Sequence, residues 1–412
     1  MNNKNKKTQD SKFLPYEHLD KIGEISVYYG FSPMKSPAIT KADIDAAKDI
    51  MDGDDIDDET EKHGRLPLHA EEKIALIRSY HEVGWHALPQ PAMLYFKDAF
   101  RGSIKKSGYH RYADLEIIGS SGSIAEATLI QTTRVMLAEE GYKNTAVEIN
   151  SIGDRDSIAR FTRELTSYYR KNINEMTPEA RQMFKRDPFE LLSCHDESCA
   201  ELNSKAPKSM DFLSESSRRH LEEILEYCET LGIPYNINNS LIGNRKYCTE
   251  TICAIINTDA ESNKKEQRML AIGVRYNGLA KRLNMKRDVQ GVGMSVLIKE
   301  SSPALRKTVK KMKRPIASFV QLGTESKLAS LGVIEHLRQS KIPLYLCLAK
   351  DRLTAQVSAN EKFHMPYTIV MGKKEAVEKT AVVRDTDTHA QSVVSLEELP
   401  KYMKKIEADY WK

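Results

Sequence analysis

The chain has 412 residues, 40% hydrophobic and 29% charged, the balance of a water-soluble globular protein with room for two or three domains. Sixty-two Lys and Arg against 58 Asp and Glu leave a net charge of +4, far from the excess of an obligate nucleic-acid coat, so any nucleic-acid surface has to be local. No uncharged apolar run approaches the roughly 18 residues of a membrane span, the Lys- and Asn-rich start lacks the apolar stretch of a secretory signal, and six scattered cysteines do not form a disulfide scaffold; a reducing cytoplasm is the expected location.

Residues 1–14 read as a disordered tail. A helical pattern through Leu19, Ile22, Ile25 and Val27 stops at Gly30. The acidic run 52–61 lacks the ligand spacing of a calcium loop and reads as solvated. Residues 65–78 and 92–101 read as strand and helix material. A strand follows at 113–118, then a helix at 123–140 and a strand at 146–151 with a turn at Gly153 and Asp154. From 155 to 232 the pattern is almost wholly helical, interrupted at Pro178, Pro188 and Pro207. Within it, Cys194 and Cys199 are the one pair that suggests a metal, but zinc sites usually need four ligands and no second pair answers them, so none is predicted. Strand character returns at 247–257 and 289–298.

Strand-rich sequence interrupted by helices predicts an insertion in a core. The boundaries are a core at 15–152, an insertion at 153–240 and a second core segment at 241–305. Residues 306–315 follow as a linker, with six basic residues and no acid: Arg306, Lys307, Lys310, Lys311, Lys313 and Arg314. Such a run between two domains is a candidate track for a nucleic-acid backbone. From 316 to 412, strands at 316–322, 343–349 and 366–371 alternate with helices at 325–340 and 353–363. Two further strands near 379–384 and 391–395 precede a helix at 396–409, which together predicts a small α/β domain.

Several stretches resemble one family, the histidine–tRNA ligases among the class II aminoacyl-tRNA synthetases. Tyr29 to Ile39 resembles the first class II motif, with Pro37 at the position of its proline. Phe100-Arg101, Gly108-Tyr109 and Leu115 to Gly119 resemble motif 2. Glu148 to Asp154 is similar to the strand and turn after it, and Gly273 to Leu279 to the GGRYDGL segment. The last 100 or so residues resemble the anticodon-binding domain of the His, Gly, Thr and Pro enzymes. The resemblance runs over roughly 15–412 in the family's order. It implies a class II core of antiparallel sheet with flanking helices, a helical insertion, a C-terminal α/β domain, and a homodimer through the first motif.

The resemblance also implies which residues carry the chemistry, activation of histidine by ATP and transfer to tRNA. Arg101 matches the motif 2 arginine expected at the α-phosphate. Glu71, Glu116, Tyr247, Arg275 and Tyr276 match positions of the amino-acid pocket. Other positions depart from the family. The arginine of the LVRGLDYYT segment is replaced by Gly243, with Arg245 displaced by two residues. Glu300 stands for the motif 3 arginine and Leu297 for one of its glycines. Ser103 and Ile104 replace a Glu and an Arg of motif 2, and Lys73 replaces the threonine of RPEGT. Guanidinium forks stabilise the phosphoryl charge of such a reaction, and losing one donor of this kind costs about 10²–10³ in rate.

These losses point to the ligase fold without the ligase reaction, binding tRNA or a translation-related partner through the retained C-terminal domain. A diverged but functional ligase, using ATP and Mg, and a small-molecule sensor or regulatory subunit using the old histidine pocket are the alternatives. No membrane partner, no resident cofactor and no metal are expected.

Overall fold

The computed structural model describes residues 19–51, 69–87, 90–97, 110–194, 197–258, 269–299, 312, 314–346, 356 and 365–411. Eight strands build the large sheet: β1 (Ser32–Met34), β2 (Ala92–Lys97), β3 (His110–Ile118), β4 (Thr145–Gly153), β5 (Tyr235–Ile237), β6 (Thr249–Asn257), β7 (Met269–Arg275) and β8 (Gly291–Lys299). Their order is β1-β2-β3-β8-β7-β6-β4-β5. The inner pairs are antiparallel, but both edge pairs, β1 with β2 and β5 with β4, are parallel. The expected antiparallel sheet is therefore mixed. Each short edge strand is joined to its neighbour through helices, as a parallel pairing requires.

Alternation along the strands gives the sheet two buried faces. One carries Met93, Tyr95, Leu115, Ile117, Cys253, Val292, Met294 and Val296. It is covered by α1 (Lys21–Tyr28) and by a later helix that begins after Gly122. The other carries Leu94, Phe96, Ile118, Ile252, Ala254, Val274 and Leu297. Following α2 (Lys41–Met51), the helix α3 (Ala70–Glu82) lies over this second face with Ile74 and Ile77 buried. Helix α4 (Ile124–Glu139) is the one that completes the first cover, through Leu129, Ile130 and Leu137.

Two of the three interrupting prolines, Pro178 and Pro188, start new helices, since a proline at the first turn forfeits no intrahelical hydrogen bond. After α5 (Arg155–Lys171), Thr177 caps α6 (Pro178–Arg186) and Asp187 caps α7 (Pro188–Leu192). With α8 (Glu197–Ser204) these helices share a small core of Phe161, Leu165, Tyr169, Phe189 and Leu192. Cys199 is buried in that core and Cys194 packs against it, which gives both thiols a packing role. Helix α9 (Glu215–Thr230) departs from this group and packs Leu221, Ile224 and Tyr227 into the main core. The short α10 (Leu279–Arg282) follows β7 and touches α3.

A second sheet, ordered β10-β9-β11-β12-β13, is made of β9 (Ala317–Gln321), β10 (Tyr345–Leu346), β11 (Tyr367–Met371), β12 (Thr380–Asp385) and β13 (Gln391–Ser395). Helices α11 (Thr324–Gln339), α12 (Lys373–Glu378) and α13 (Leu399–Tyr410) accompany it. This unit is docked on α1. Tyr29 at the end of α1 donates its hydroxyl to Glu335 of α11, and Arg338 holds Glu335 from the other side at 2.7 Å. Gly30 turns there at φ 84°, and a Cβ on it would lie 2.7 Å from Leu346 Cγ, so glycine is required on both counts.

Candidate functional site

The face of the large sheet beneath α3 gathers an unusual density of buried charge. Glu71, Glu72 and Lys73 are consecutive in the first turn of α3, where carboxylates suit the positive end of the helix dipole. The helix turns Lys73 inward. There it ion-pairs with Glu116 of β3 at side-chain exposures of 4% and 1%. Tyr276, just past β7, donates its hydroxyl to the other Glu116 oxygen at 2.7 Å. The Lys73 ammonium also stands 5.6 Å from the centre of the Tyr276 ring, within cation–π range.

Two glycines of β8 make room for this knot. Gly293 is the cross-strand partner of Glu116, and a Cβ on it would overlap the Glu116 carboxylate. A Cβ on Gly291 would likewise overlap the Tyr276 ring. The space above both glycines is thus occupied by the protein's own side chains. Further along the same strand face stand Ser295 and Leu297, both buried. Two residues back from Glu116 on β3, and therefore on the same face, lies Asp114, paired in register with Ser295.

Electrostatics sharpen the picture. Burial in low dielectric disfavours an ionised carboxyl. It pushes the Asp114 and Glu116 carboxyls up, against the opposing pull of Lys73. Burial and the Asp114 charge push Glu72 up to about 8. Lys73 moves the opposite way from what burial alone dictates: the charges of Glu116 and Asp114 hold its ammonium protonated. At Glu71 burial is outweighed by its bond to His69, 3.5 Å away, and its carboxyl stays below the ordinary range. Tyr247, 2% exposed, completes the surroundings, its phenol raised well above the ordinary value by burial and by Cys248.

The structure places Glu116 and Tyr276 in direct contact, with Glu71 and Tyr247 on the same side of the sheet. Arg275 does not join them. It is fully buried on the opposite face, where it grips Glu126 of α4 with Nε and Nη2, both at 2.6 Å. Its Nη1 donates to the Ser120 carbonyl at 2.8 Å, and His220 of α9 meets Glu126 at 2.9 Å. Arg275 and Tyr276 are neighbours on an extended chain and must point to opposite faces; Arg275 is a cross-brace between sheet and helices. Sequence reading missed Asp114 and Glu72. Strand alternation from Glu116 would have found the first.

Of the positions departing from the family pattern, Gly243 is packed against Cys248 Sγ and Ile252 Cδ1, at 3.0 and 3.1 Å from where a Cβ would stand. Arg245 faces away toward the start of α7, paired with Asp187 at 3.0 Å and lying 4.8 Å from the Phe189 ring centre. Arg101, Ser103, Ile104, Glu300, Arg306, Lys307, Lys310, Lys311 and Lys313 lie outside the described residues; Arg314 is exposed. Pro37 is half-buried in an irregular stretch between β1 and α2.

Comparison with known proteins now bears on this arrangement. A domain family described as an anticodon binding domain matches residues 317–406, the unit of the second sheet. The histidine–tRNA ligase of Fervidobacterium nodosum is 27% identical over 387 residues, covering 90% of each chain. That of Acetivibrio thermocellus is 25% identical over 346 residues, covering 82% of each. The chain is thus similar over most of its length to histidine–tRNA ligases. The apo histidyl-tRNA synthetase of S. aureus, at 23% identity, covers 80% of this chain and 81% of its own, with a TM-score of 0.45. The chain joins a large mixed sheet with flanking helices to an anticodon-binding domain, and it buries Lys73 against Glu116 on one face of that sheet. Among the described residues no helix is long and apolar enough to cross a membrane.

Proposed function

We propose that this chain keeps the histidine–tRNA ligase framework as an RNA-binding protein, with tRNA the favoured partner, and does not activate histidine. One observation carries the reading: the Lys73 ammonium occupies one oxygen of Glu116 while Tyr276 occupies the other, with Lys73 close to the Tyr276 ring. These are the carboxylate and phenol that the family resemblance assigns to the amino-acid pocket. A free amino acid would have to displace a buried ion pair to reach them, at a cost of several kcal/mol. Two further features support it. No guanidinium can enter at Gly243 without moving Cys248 and Ile252, and Arg245 is committed to Asp187. Leu297 fills the sheet face where the family resemblance places a glycine. The retained 317–406 domain supports the RNA partner, and the segment around Pro37 supports a homodimer, which sedimentation would check. A cytoplasmic site of action follows from that partner.

Histidine-dependent exchange of pyrophosphate into ATP is the direct test, run beside a tRNA-binding titration over salt. The expected outcome is exchange at background and a tRNA affinity that falls as salt rises, because phosphate contacts release counterions. Exchange at ordinary ligase rates would overturn the reading. Absence of any salt-dependent tRNA binding would remove its RNA half.

A further inference from the structure

We infer that α10 and the turn after it form a docking surface for an RNA backbone, with Lys281, Lys286 and Arg287 as its phosphate contacts. The chain as a whole is almost balanced in charge, yet residues 281–288 hold four cations, Arg282 among them, against one acid, Asp288. All four cations are exposed.

Local structure gathers them. Leu279 and Ala280 are buried in the core that Ile74 and Ile77 of α3 share, so the start of α10 is anchored inward and its basic end is left outside. Asn284 then takes φ 56°, a left-handed conformation that asparagine tolerates better than most side chains. Its N–H donates to the Lys281 carbonyl, and that of Met285 to the Ala280 carbonyl, both at 3.0 Å. This is the reversal that closes many helix ends. It folds the chain back, so Lys286 and Arg287 return to the end of the helix that carries Lys281.

The elements beside this turn add no acid to balance it. From α3 come imidazoles instead: His81 and His86 have ring centres 5.9 Å apart, and burial, then His86 and Arg287, lower the proton affinity of His81. Glu82 is held by Arg78 at 2.8 Å, and Asp288 accepts the Val289 N–H at 3.0 Å. Among the described residues none of Lys281, Lys286 and Arg287 has an ion-pair partner. Beyond His86 the chain continues through Leu88 and Pro89, which lie outside the described residues and carry no charge. Crowded like charges repel, and a polyanion laid across them relieves that repulsion.

Two further observations favour RNA over an anionic membrane. Membrane-surface elements pair their cations with apolar side chains that enter the lipid. Among the described residues the exposed large hydrophobics are Ile44, Val377, Val393, Tyr410 and Trp411, and none belongs to α10 or its turn. The same chain also carries the unit matched by the anticodon-binding family at 317–406. The contact presumes the RNA half of the proposed function and adds to it a second point of attachment, on the large-sheet unit. Phosphates are recognised there by charge and by the arginine fork, without base readout.

The experiment titrates full-length protein with tRNA over a range of salt. The wild type is compared with a Lys281→Gln, Lys286→Gln, Arg287→Gln triple variant. A control variant, Lys143→Gln, Lys171→Gln, Lys208→Gln, removes the same charge from scattered sites. Every substituted residue is exposed, so both variants are expected to fold, and thermal melts check this. A plain RNA duplex without an anticodon loop is a second probe, and phosphatidylserine vesicles are a third. The triple variant is expected to bind tRNA about tenfold or more weakly near physiological salt, with the slope of log affinity against log salt smaller by about two to three. The duplex should lose as much, and the control variant should lose less than half of either effect. Wild-type tRNA binding with an unchanged affinity and slope in the triple variant overturns the surface and leaves the RNA reading standing. An equal loss in the control does the same, since net charge alone then explains it. Vesicle binding that the triple variant loses while keeping its RNA affinity would assign the surface to a membrane instead. Absence of RNA binding by the wild type overturns both readings together.

Discussion

The two faces of the large sheet each bury a basic side chain against carboxylates, and they do so in opposite ways. On the α4 side, Arg275 is matched by Glu126, two backbone carbonyls and the nearby His220. Every fork of the guanidinium has a partner, and Glu126 is held down at about 2, burial being outweighed by Arg275 and His220. On the α3 side one ammonium serves several carboxyls, whose proton affinities burial has raised. A balanced buried pair fixes the positions of the elements it joins. An unbalanced one leaves a polar demand that the fold does not meet, which is a property of binding sites more often than of braces.

The comparison breaks most visibly through Arg275→Met. Removing one partner of a fully buried pair costs about 3–5 kcal/mol. Acid cannot repair this loss, because the Ser120 and Gly122 carbonyls also lose their donor. Denaturant unfolding near neutral pH and again near pH 5 should show the same deficit.

Lys73→Met is expected to cost less, about 2–3 kcal/mol near neutral pH. Most of that should return on acidification, since what it strands are carboxyls that can take up a proton. A deficit independent of pH would mean that Lys73 is a brace like Arg275.

The smallest effect sharpens the contrast. Glu72, raised by burial and Asp114 to about 8, binds its proton more tightly folded than unfolded. Its contribution to stability is therefore fully present below the ordinary carboxyl range and lost as pH rises through about 8. Glu72→Gln should flatten that loss, with a gain of about 1 kcal/mol above pH 8 and little change near pH 5. Thermal melts across this range would detect it; a gain independent of pH would show that Glu72 is not titrating in the folded protein.

Much of the fold was legible because the signals were periodic. The strand at 113–118, the helix at 123–140 and the strands after 316 fall on β3, α4 and the second sheet, while the helix expected at 353–363 lies almost wholly outside the described residues. The strand β7 was not marked, although Met269 to Val274 is buried throughout. A short apolar run buried on both faces has no alternation to show, and it was read only as a motif. That omission explains the misplacement of Arg275: had the segment been read as a strand, adjacent residues could not both face one pocket. α2, Lys41 to Met51, was not marked either, and the edge strands β1 and β5, three residues each, are too short for periodicity. Lys73 illustrates a different limit. Sequence shows that a lysine replaces a threonine, but only the fold shows that its ammonium lands on Glu116.

The docking of the second sheet's unit on α1 has a mechanical meaning. Tyr29, Glu335, Arg338 and the close seat of Leu346 on Gly30 clamp the anticodon-binding unit to the back of the large sheet, on the side away from Lys73. The two units behave as the jaws of a caliper set to one opening. Anything held by one unit meets the other at a preset span. Loosening Tyr29 or crowding Gly30 would unset the instrument without touching either jaw.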